Sequence, residues 1–208
     1  MPIRRRTLIA AFAATGVAGV AAPAFAAPTL GQTAPDFRVK GAAGRVRSLA
    51  EFRGRTVVLE WTNSECPYCA KHYGSGAMQA LQRAATADGV VWLTVASAGP
   101  GMEGYFTAPA AQAWKAKQHS AASDILLDVD SRMARAYEAK ATPHMFVIDP
   151  AGRLAYMGGI DDRPYWDPES LKGAKNYVAA ALADLKAGRP VAEPVTRPYG
   201  CSVKYAPA

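Results

Sequence analysis

Cys66-Pro67-Tyr68-Cys69 places two thiols one helical turn apart in a sequence that holds only three cysteines. The motif follows an apolar run, Val57-Val-Leu-Glu-Trp61, that reads as a buried strand. It opens a segment that reads as helix to about Ala87. In that setting Cys66 takes the N-cap and Pro67 the first helical position, so the sulfur faces unpaired backbone N–H groups at the positive helix end. Both features favour the thiolate and lower a cysteine pKa from about 8.5 toward roughly 3.5–7.5. Cys69, a turn later, is placed to attack a mixed disulfide on Cys66. The chemistry implied is thiol–disulfide exchange. Two other readings of the pair are an inert structural disulfide and a copper or zinc site built from Cys66, Cys69, His72 and His144. No second C-x-x-C supports the metal site, so no metal ligand set is assigned.

Three further features bear on that chemistry. Glu60 is the one acid in the apolar run; if buried, its raised pKa makes it a candidate proton acceptor for Cys69, and a solvated edge position is the alternative. Thr142-Pro143 precedes the apolar run from Met145. A cis proline there exposes the backbone of the residue before it to a bound peptide, whereas an ordinary trans loop proline does not. Thr142 and Pro143, with Pro67 and Tyr68, are therefore candidate substrate-binding residues. Cys201 lies 13 residues past Gly188, and 13 extended residues reach at most about 43 Å, against a radius of gyration of about 15 Å for the domain. That reach brings it to Cys66 of its own or a partner chain. Cys201 is a candidate resolving or regulatory thiol, or a tail thiol with no role. Tyr199, Val203 and Tyr205 are candidates to pin the tail to the body. His72 either tunes the thiols or is solvated, His119 reads as surface, and Tyr105, Phe106 and Trp114 either roof the site or pack in the core.

The net charge is +7, with 50% hydrophobic and 20% charged residues, which excludes a disordered chain. Three cysteines are too few for a disulfide-stapled fold. Residues 1–26 read as an export signal: Arg4-Arg-Arg6, an uncharged run from Leu8 to Ala22, then Ala24-Phe25-Ala26 as the cleavage pattern. The run is shorter than the roughly 18–20 residues a membrane span needs. Arg5-Arg6 resembles a twin-arginine signal without its usual flanking residues, and the general export route is the alternative. Those 26 residues carry three arginines and no acid, so the charge of the remainder is +4. Lys and Arg are scattered through it without a stripe, which argues against a nucleic-acid partner. The expected location is the bacterial periplasm. No phosphate loop, dinucleotide fingerprint or hydrolase triad is present, and no dissociable cofactor is implied.

The elements that must position these residues follow from the patterning. Phe37–Lys40 and Arg45–Leu49 read as a hairpin around Gly41–Gly44. Gly74-Ser75-Gly76 is expected to interrupt the helix after Cys66. Val90–Ala96 reads as a buried strand, and Thr107 as the cap of a helix to Lys117. Ile125–Leu127 reads as a short strand and Ser131 as the cap of a helix to about Ala139. Met145–Ile148 and Arg153–Met157 read as strands joined at Asp149-Pro-Ala-Gly152. A last helix is expected from Asp167 and Pro168 to Gly188, with Leu171, Ala174, Val178, Leu182 and Leu185 on one face. A Pro-rich, extended tail follows. The domain limits expected are 33–187 for the body and 188–208 for the tail.

A buried strand leading into Cys66-Pro67-Tyr68-Cys69, an acid at Glu60 and Thr142-Pro143 before a strand pair resemble the thioredoxin fold. The N-terminal hairpin and the insertion between Ser97 and Asp124 resemble its redoxin branch, which includes thioredoxin-like reductases and the alkyl hydroperoxide reductase/thiol-specific antioxidant group. The resemblance covers about Thr33 to Lys186. It implies an α/β three-layer sandwich, a mixed central sheet flanked by helices, with cis-Pro143 beside the dithiol. It also implies an exported thiol–disulfide oxidoreductase acting on protein dithiols or disulfides, with a peroxiredoxin-like thiol peroxidase using a small thiol and peroxide as the alternative. Peroxiredoxins place Pro and Thr or Ser seven and three residues before their peroxidatic cysteine; here those positions hold Leu59 and Asn63.

Overall fold

The computed structural model describes residues 27–207; the expected export signal lies outside them. Val57–Trp61 forms β3, buried at all five positions. Its apolar alternation feeds two cores at once, so it sits at the centre of a five-stranded sheet ordered β5-β4-β3-β7-β8. β4 is Val91–Ala96, β5 Asp124–Leu127, β7 His144–Ile148 and β8 Leu154–Gly158. β3 runs parallel to β4 and antiparallel to β7, with Trp61 opposite Val95 on one side and His144 on the other. The sheet is therefore mixed, as expected.

Alternate residues of the strands supply two apolar faces. Leu59, Trp61, Leu93, Val95, Phe146 and Ile148 pack with Phe52, Met133 and Tyr137. Val58, Trp92, Met145 and Val147 pack with Tyr73, Met78 and Val178. Helices α1 (Pro67–Gly74), α2 (Ala77–Ala87) and α5 (Tyr177–Lys186) supply the second face, and α4 (Arg132–Ala136) the first. The three layers give a thioredoxin-like α/β sandwich. The hairpin β1 (Arg38–Lys40) and β2 (Val46–Ser48) stands beside it, and α3 (Ala108–Lys117) starts at Thr107, whose side chain accepts from Ala110 N at 3.3 Å.

The break after Cys66 falls where the glycines place it, with Gly76 at φ +79° between α1 and α2. Two helix starts differ from the sequence expectation. Ser131 does precede α4, but at φ +56° its hydroxyl turns away and accepts from Ala206 N at 2.9 Å. Asp128 caps instead, its two carboxylate oxygens taking Met133 N at 3.0 Å and Ala134 N at 2.8 Å. The last helix does not begin at Asp167. That residue caps a single 3-10 turn, Pro168–Leu171, and Gly173 at φ +67° ends any continuation. Asn176 caps α5, accepting from Ala179 N at 2.8 Å. Leu171 and Ala174 thus lie outside the apolar helix face.

The tail folds back on the body. Met157 and Val195 form a parallel bridge on β8. β9 (Cys201–Ser202) then pairs antiparallel with β6 (Ala141–Thr142), matching Ala141 to Ser202 and Thr142 to Cys201. Val203 N donates to Lys140 O at 3.3 Å, and Tyr205 OH donates to Ala139 O at 2.8 Å. No helix among the described residues is long and apolar enough to cross a membrane.

Candidate active site

Cys66 occupies the N-cap of α1 in extended geometry (φ −79°, ψ 120°), with Pro67 next. The proline lacks an N–H, so its place in the first turn leaves no donor unmet. The Thr142–Pro143 bond is cis. As a thiol, Cys66 donates to the Thr142 carbonyl at 3.0 Å. β3 delivers the strand-to-helix turn, and β7, paired with β3, begins just after Pro143, so that pairing sets the relation between thiol and proline.

The electrostatics split the two motif cysteines. Hydrogen bonding to the Cys69 thiol brings the Cys66 pKa down to about 4 against the opposing effect of burial; the Cys201 thiol, Thr142 and the Cys201 backbone add to the lowering. Burial pushes Cys69 well above its usual range, and the neighbouring Cys66 charge pushes further; Thr62 and the Asn63 backbone pull the other way. Burial and the Cys66 charge also push Cys201 up to about 12. One nucleophile therefore stands between two thiols that hold their protons. The three cysteines are unbridged.

Glu60 is fully buried, and desolvation raises its pKa to about 7. Its hydrogen-bond partners are Tyr73 OH (2.8 Å), Trp92 Nε1 (2.7 Å), Gln82 Nε2 (3.1 Å) and Thr94 Oγ1 (3.4 Å). The structure does not bring it into hydrogen-bond contact with Cys69. Tyr73, one turn beyond Cys69 on α1, takes that place.

Beneath the motif lies a buried polar cluster. Lys71 Nζ donates to Arg163 O at 2.8 Å and Tyr199 OH at 3.2 Å, and lies 4.0 Å from Asp161. His72 Nε2 is 3.2 Å from Tyr199 OH, whose proton goes to Asp161. Burial lowers the Lys71 pKa, and burial with the Lys71 charge lowers His72 to about 3. Tyr199 also meets the Tyr68 ring edge-on at 5.9 Å.

Sequence reasoning missed Lys71 and Asp161, because a lysine on a helix reads as solvated and nothing local marks it as buried. It also missed Thr62, the residue after β3, which acts to lower the Cys69 pKa. His72 and His144 do not join the cysteines: His144 Nδ1 accepts from Lys140 N at 3.1 Å. No group of three or more His, Cys, Asp or Glu among the described residues is arranged to hold a metal. Phe106 and Trp114 pack with Ala111 and Tyr73 rather than over the thiols. Cys201 and Thr142 are what cover Cys66, which is 0% exposed. The cleft among Thr62, Asn63, Gly104, Thr142 and Ser202 keeps about 10 Å³, the space of a single water at most. A groove of about 1170 Å³ between α2, α5 and Gly188–Pro194 has no cysteine in its lining.

Comparison with known proteins agrees with the fold. An uncharacterized conserved protein from Geobacillus kaustophilus is 23% identical, with a TM-score of 0.74 over 86% of this chain and 94% of that one. A hypothetical protein from Sinorhizobium meliloti is 24% identical, with a TM-score of 0.74 over 86% and 96%. A putative protein disulfide isomerase from Bacteroides thetaiotaomicron is 16% identical, with a TM-score of 0.54 over 76% and 89%. At these identities they show a shared fold. No curated protein matches the sequence. The model of the AhpC/TSA family matches residues 30–157, a span that contains Cys66, Cys69 and Pro143 and stops short of the tail. That span is more than half of the sequence, and the chain belongs to the AhpC/TSA family, as a redoxin of thioredoxin-like fold.

Proposed function

We propose that this redoxin is an exported thiol–disulfide oxidoreductase whose working couple is Cys66–Cys69, and that it oxidises protein dithiols. One observation carries the reading: Cys66 caps α1 opposite the Thr142 carbonyl, with its pKa near 4, while Cys69 behind it stays protonated. A low thiolate pKa stabilises the dithiol form and makes the disulfide a stronger oxidant.

The steps follow from that asymmetry. A substrate thiolate attacks Cys66 Sγ; the new mixed disulfide forms as the Cys66–Cys69 bond breaks, and Cys69 leaves and takes a proton. The second substrate thiolate attacks the substrate sulfur, and Cys66 departs as a stable thiolate. Two electrons pass from substrate to protein. In the reverse, reducing direction Cys69 would have to lose its proton, and Glu60 forms no hydrogen bond with it to receive one. Pro67, Tyr68, Thr142 and Pro143 border the reacting sulfur and contact the substrate. Residues 1–26 direct export to a compartment where disulfides persist.

The family match favours a second reading, a thiol peroxidase with Cys66 as the peroxidatic thiol. Leu59 lies in the core and the Asn63 amide is bonded to Glu103 at 2.9 Å, so the proline and the hydroxyl of the peroxidatic motif are both replaced. The experiment is a redox titration of the Cys66–Cys69 couple in glutathione buffers, paired with oxidation of a reduced dithiol peptide. The expected result is an oxidising potential and rapid peptide oxidation. A strongly reducing potential reverses the proposed direction, and fast peroxide turnover without disulfide exchange replaces the reading with the peroxidase.

A further inference from the structure

The edge that a substrate strand needs is already taken. β6 ends at Thr142, whose carbonyl faces Cys66, and the strand paired with β6 belongs to the chain's own tail. In register, Cys201 stands opposite Thr142, and the Thr142 hydroxyl donates to the Cys201 carbonyl at 3.3 Å. Cys66 and Cys201 thus lie against the same residue, Thr142, and Cys201 is among the groups that lower the Cys66 pKa. An added strand with a cysteine beside the nucleophile is the arrangement of a polypeptide substrate bound by β-augmentation.

The tail is built for this place. A Cβ on Gly200 would fall 2.0 Å from the Thr142 carbonyl oxygen, and Gly200 has φ +129°, so only glycine lets the strand lie this close. On one side Tyr199 is anchored in the buried Lys71, His72 and Asp161 cluster. On the other, Val203 pairs with Lys140, Tyr205 with Ala139, and Ala206 N with Ser131. These anchors fix Cys201 at the thiol from both directions, so its position is specified rather than incidental.

We propose that Cys201 is an internal substrate of the couple: Cys66 forms a second disulfide with Cys201, exchangeable with Cys66–Cys69, and that form is closed to outside thiols until Gly200–Ser202 leaves the edge. This rests on the oxidoreductase reading. The exchange balances without any outside reagent. Cys201 Sγ attacks Cys66 Sγ; the Cys66–Cys201 bond forms, the Cys66–Cys69 bond breaks, and the Cys201 proton passes to Cys69. The oxidation state of the protein is unchanged. The reverse step, attack by Cys69, restores the Cys66–Cys69 bond and frees Cys201, after which Gly200–Ser202 can leave the edge and open the site.

The test uses the full mature chain. Cys69→Ser, oxidised with one equivalent of diamide, which accepts the two electrons and two protons, is digested without reduction and mapped by mass spectrometry. The expected product is an intramolecular Cys66–Cys201 disulfide. A second arm follows alkylation of Cys66 in the fully reduced protein. Gly200→Ala, or deletion of 200–208, is expected to raise that rate about tenfold or more, because the reactive form becomes the dominant one. Only intermolecular disulfides in Cys69→Ser, with Cys201 alkylatable, would overturn the proposal, and so would equal alkylation rates with and without the tail strand. Cys201→Ser keeps the Cys66–Cys69 couple and is assayed on the dithiol peptide. If it fails to oxidise the peptide, the oxidoreductase reading fails; if it succeeds while the mapping fails, only the tail proposal falls.

Discussion

Glu60 and Tyr73 meet at 2.8 Å across the space between the central strand and the first helix, both fully buried from water by the same apolar face. The carboxyl thereby belongs to the packing of α1 and α2 on the sheet. It reports on the dithiol only through Tyr73, one turn away along α1. Its pKa, near 7 rather than 4.5, makes that packing sensitive to pH.

The sign is fixed by the raised value. The folded state keeps the Glu60 proton to about pH 7, while the unfolded state releases it near 4.5. Its contribution is complete below the unfolded value and is lost as pH rises through the folded one. Urea unfolding of wild type and Glu60→Gln should therefore show a difference that falls by about 1.4 kcal/mol per pH unit between pH 5 and 7 and then levels. A flat difference would mean that the carboxyl titrates normally.

Cys66 has the opposite sign in the dithiol protein. Its folded pKa is depressed, to about 4, so its contribution is complete above the unfolded value near 9 and is lost as pH falls through 4. Thiolate absorbance near 240 nm should titrate with a midpoint near 4 and be absent in Cys66→Ser. Cys201→Ala should move the midpoint upward, because two of the groups that stabilise the thiolate belong to that residue and its placement.

Asp161 is the buried acid that balances Lys71 and accepts from Tyr199. Asp161→Ala leaves an ammonium group without its counter-charge, a loss of about 3–5 kcal/mol. Deprotonation of Lys71 relieves the strain, so the loss should grow as pH falls. Adding Lys71→Met should restore much of the stability, and a double-mutant cycle by denaturant unfolding measures how much.

Asp128 carries the start of α4 and also accepts from Ser97 Oγ at 2.6 Å, which in turn accepts from Trp61 Nε1 at 3.0 Å. Asp128→Ala should cost about 2 kcal/mol or more, from two lost cap bonds and an orphaned hydroxyl. Ser131→Ala should leave α4 intact and loosen Ala206 instead. Hydrogen exchange at Met133, Ala134 and Ala206 separates the two.

Much of the fold was readable because its signals are local. The run at Val57–Trp61, the glycines after Cys66 and the Pro67 helix start each act within a few residues. Ser131 shows the limit: a serine before a helix reads as a cap, yet the cap bonds come from three residues further back and the serine serves a residue at the far end of the chain. Asp167 likewise caps, but only a single turn, since Gly173 stops it. At the site, the thiol at the helix start, the facing proline and the reach of Cys201 were legible. The lack of a Glu60–Cys69 hydrogen bond was not, because the carboxylate is taken up by Tyr73, Gln82 and Trp92 from separate elements. The Lys71–Asp161 pairing spans 90 residues of sequence and leaves no periodic trace.

Strand alternation gives the tail a strict length. Successive residues of β9 point to opposite faces, so Cys201 and Ser202 cannot exchange places without turning the sulfur away from Cys66. Tyr199 is tied to α1 and Val203 to Lys140, which leaves only Gly200, Cys201 and Ser202 between two fixed points. Inserting one residue between Tyr199 and Cys201 would keep every side chain the tail contains and yet swing its thiol to solvent. The spacing from tyrosine to cysteine is thus as much a part of the site as the spacing between Cys66 and Cys69.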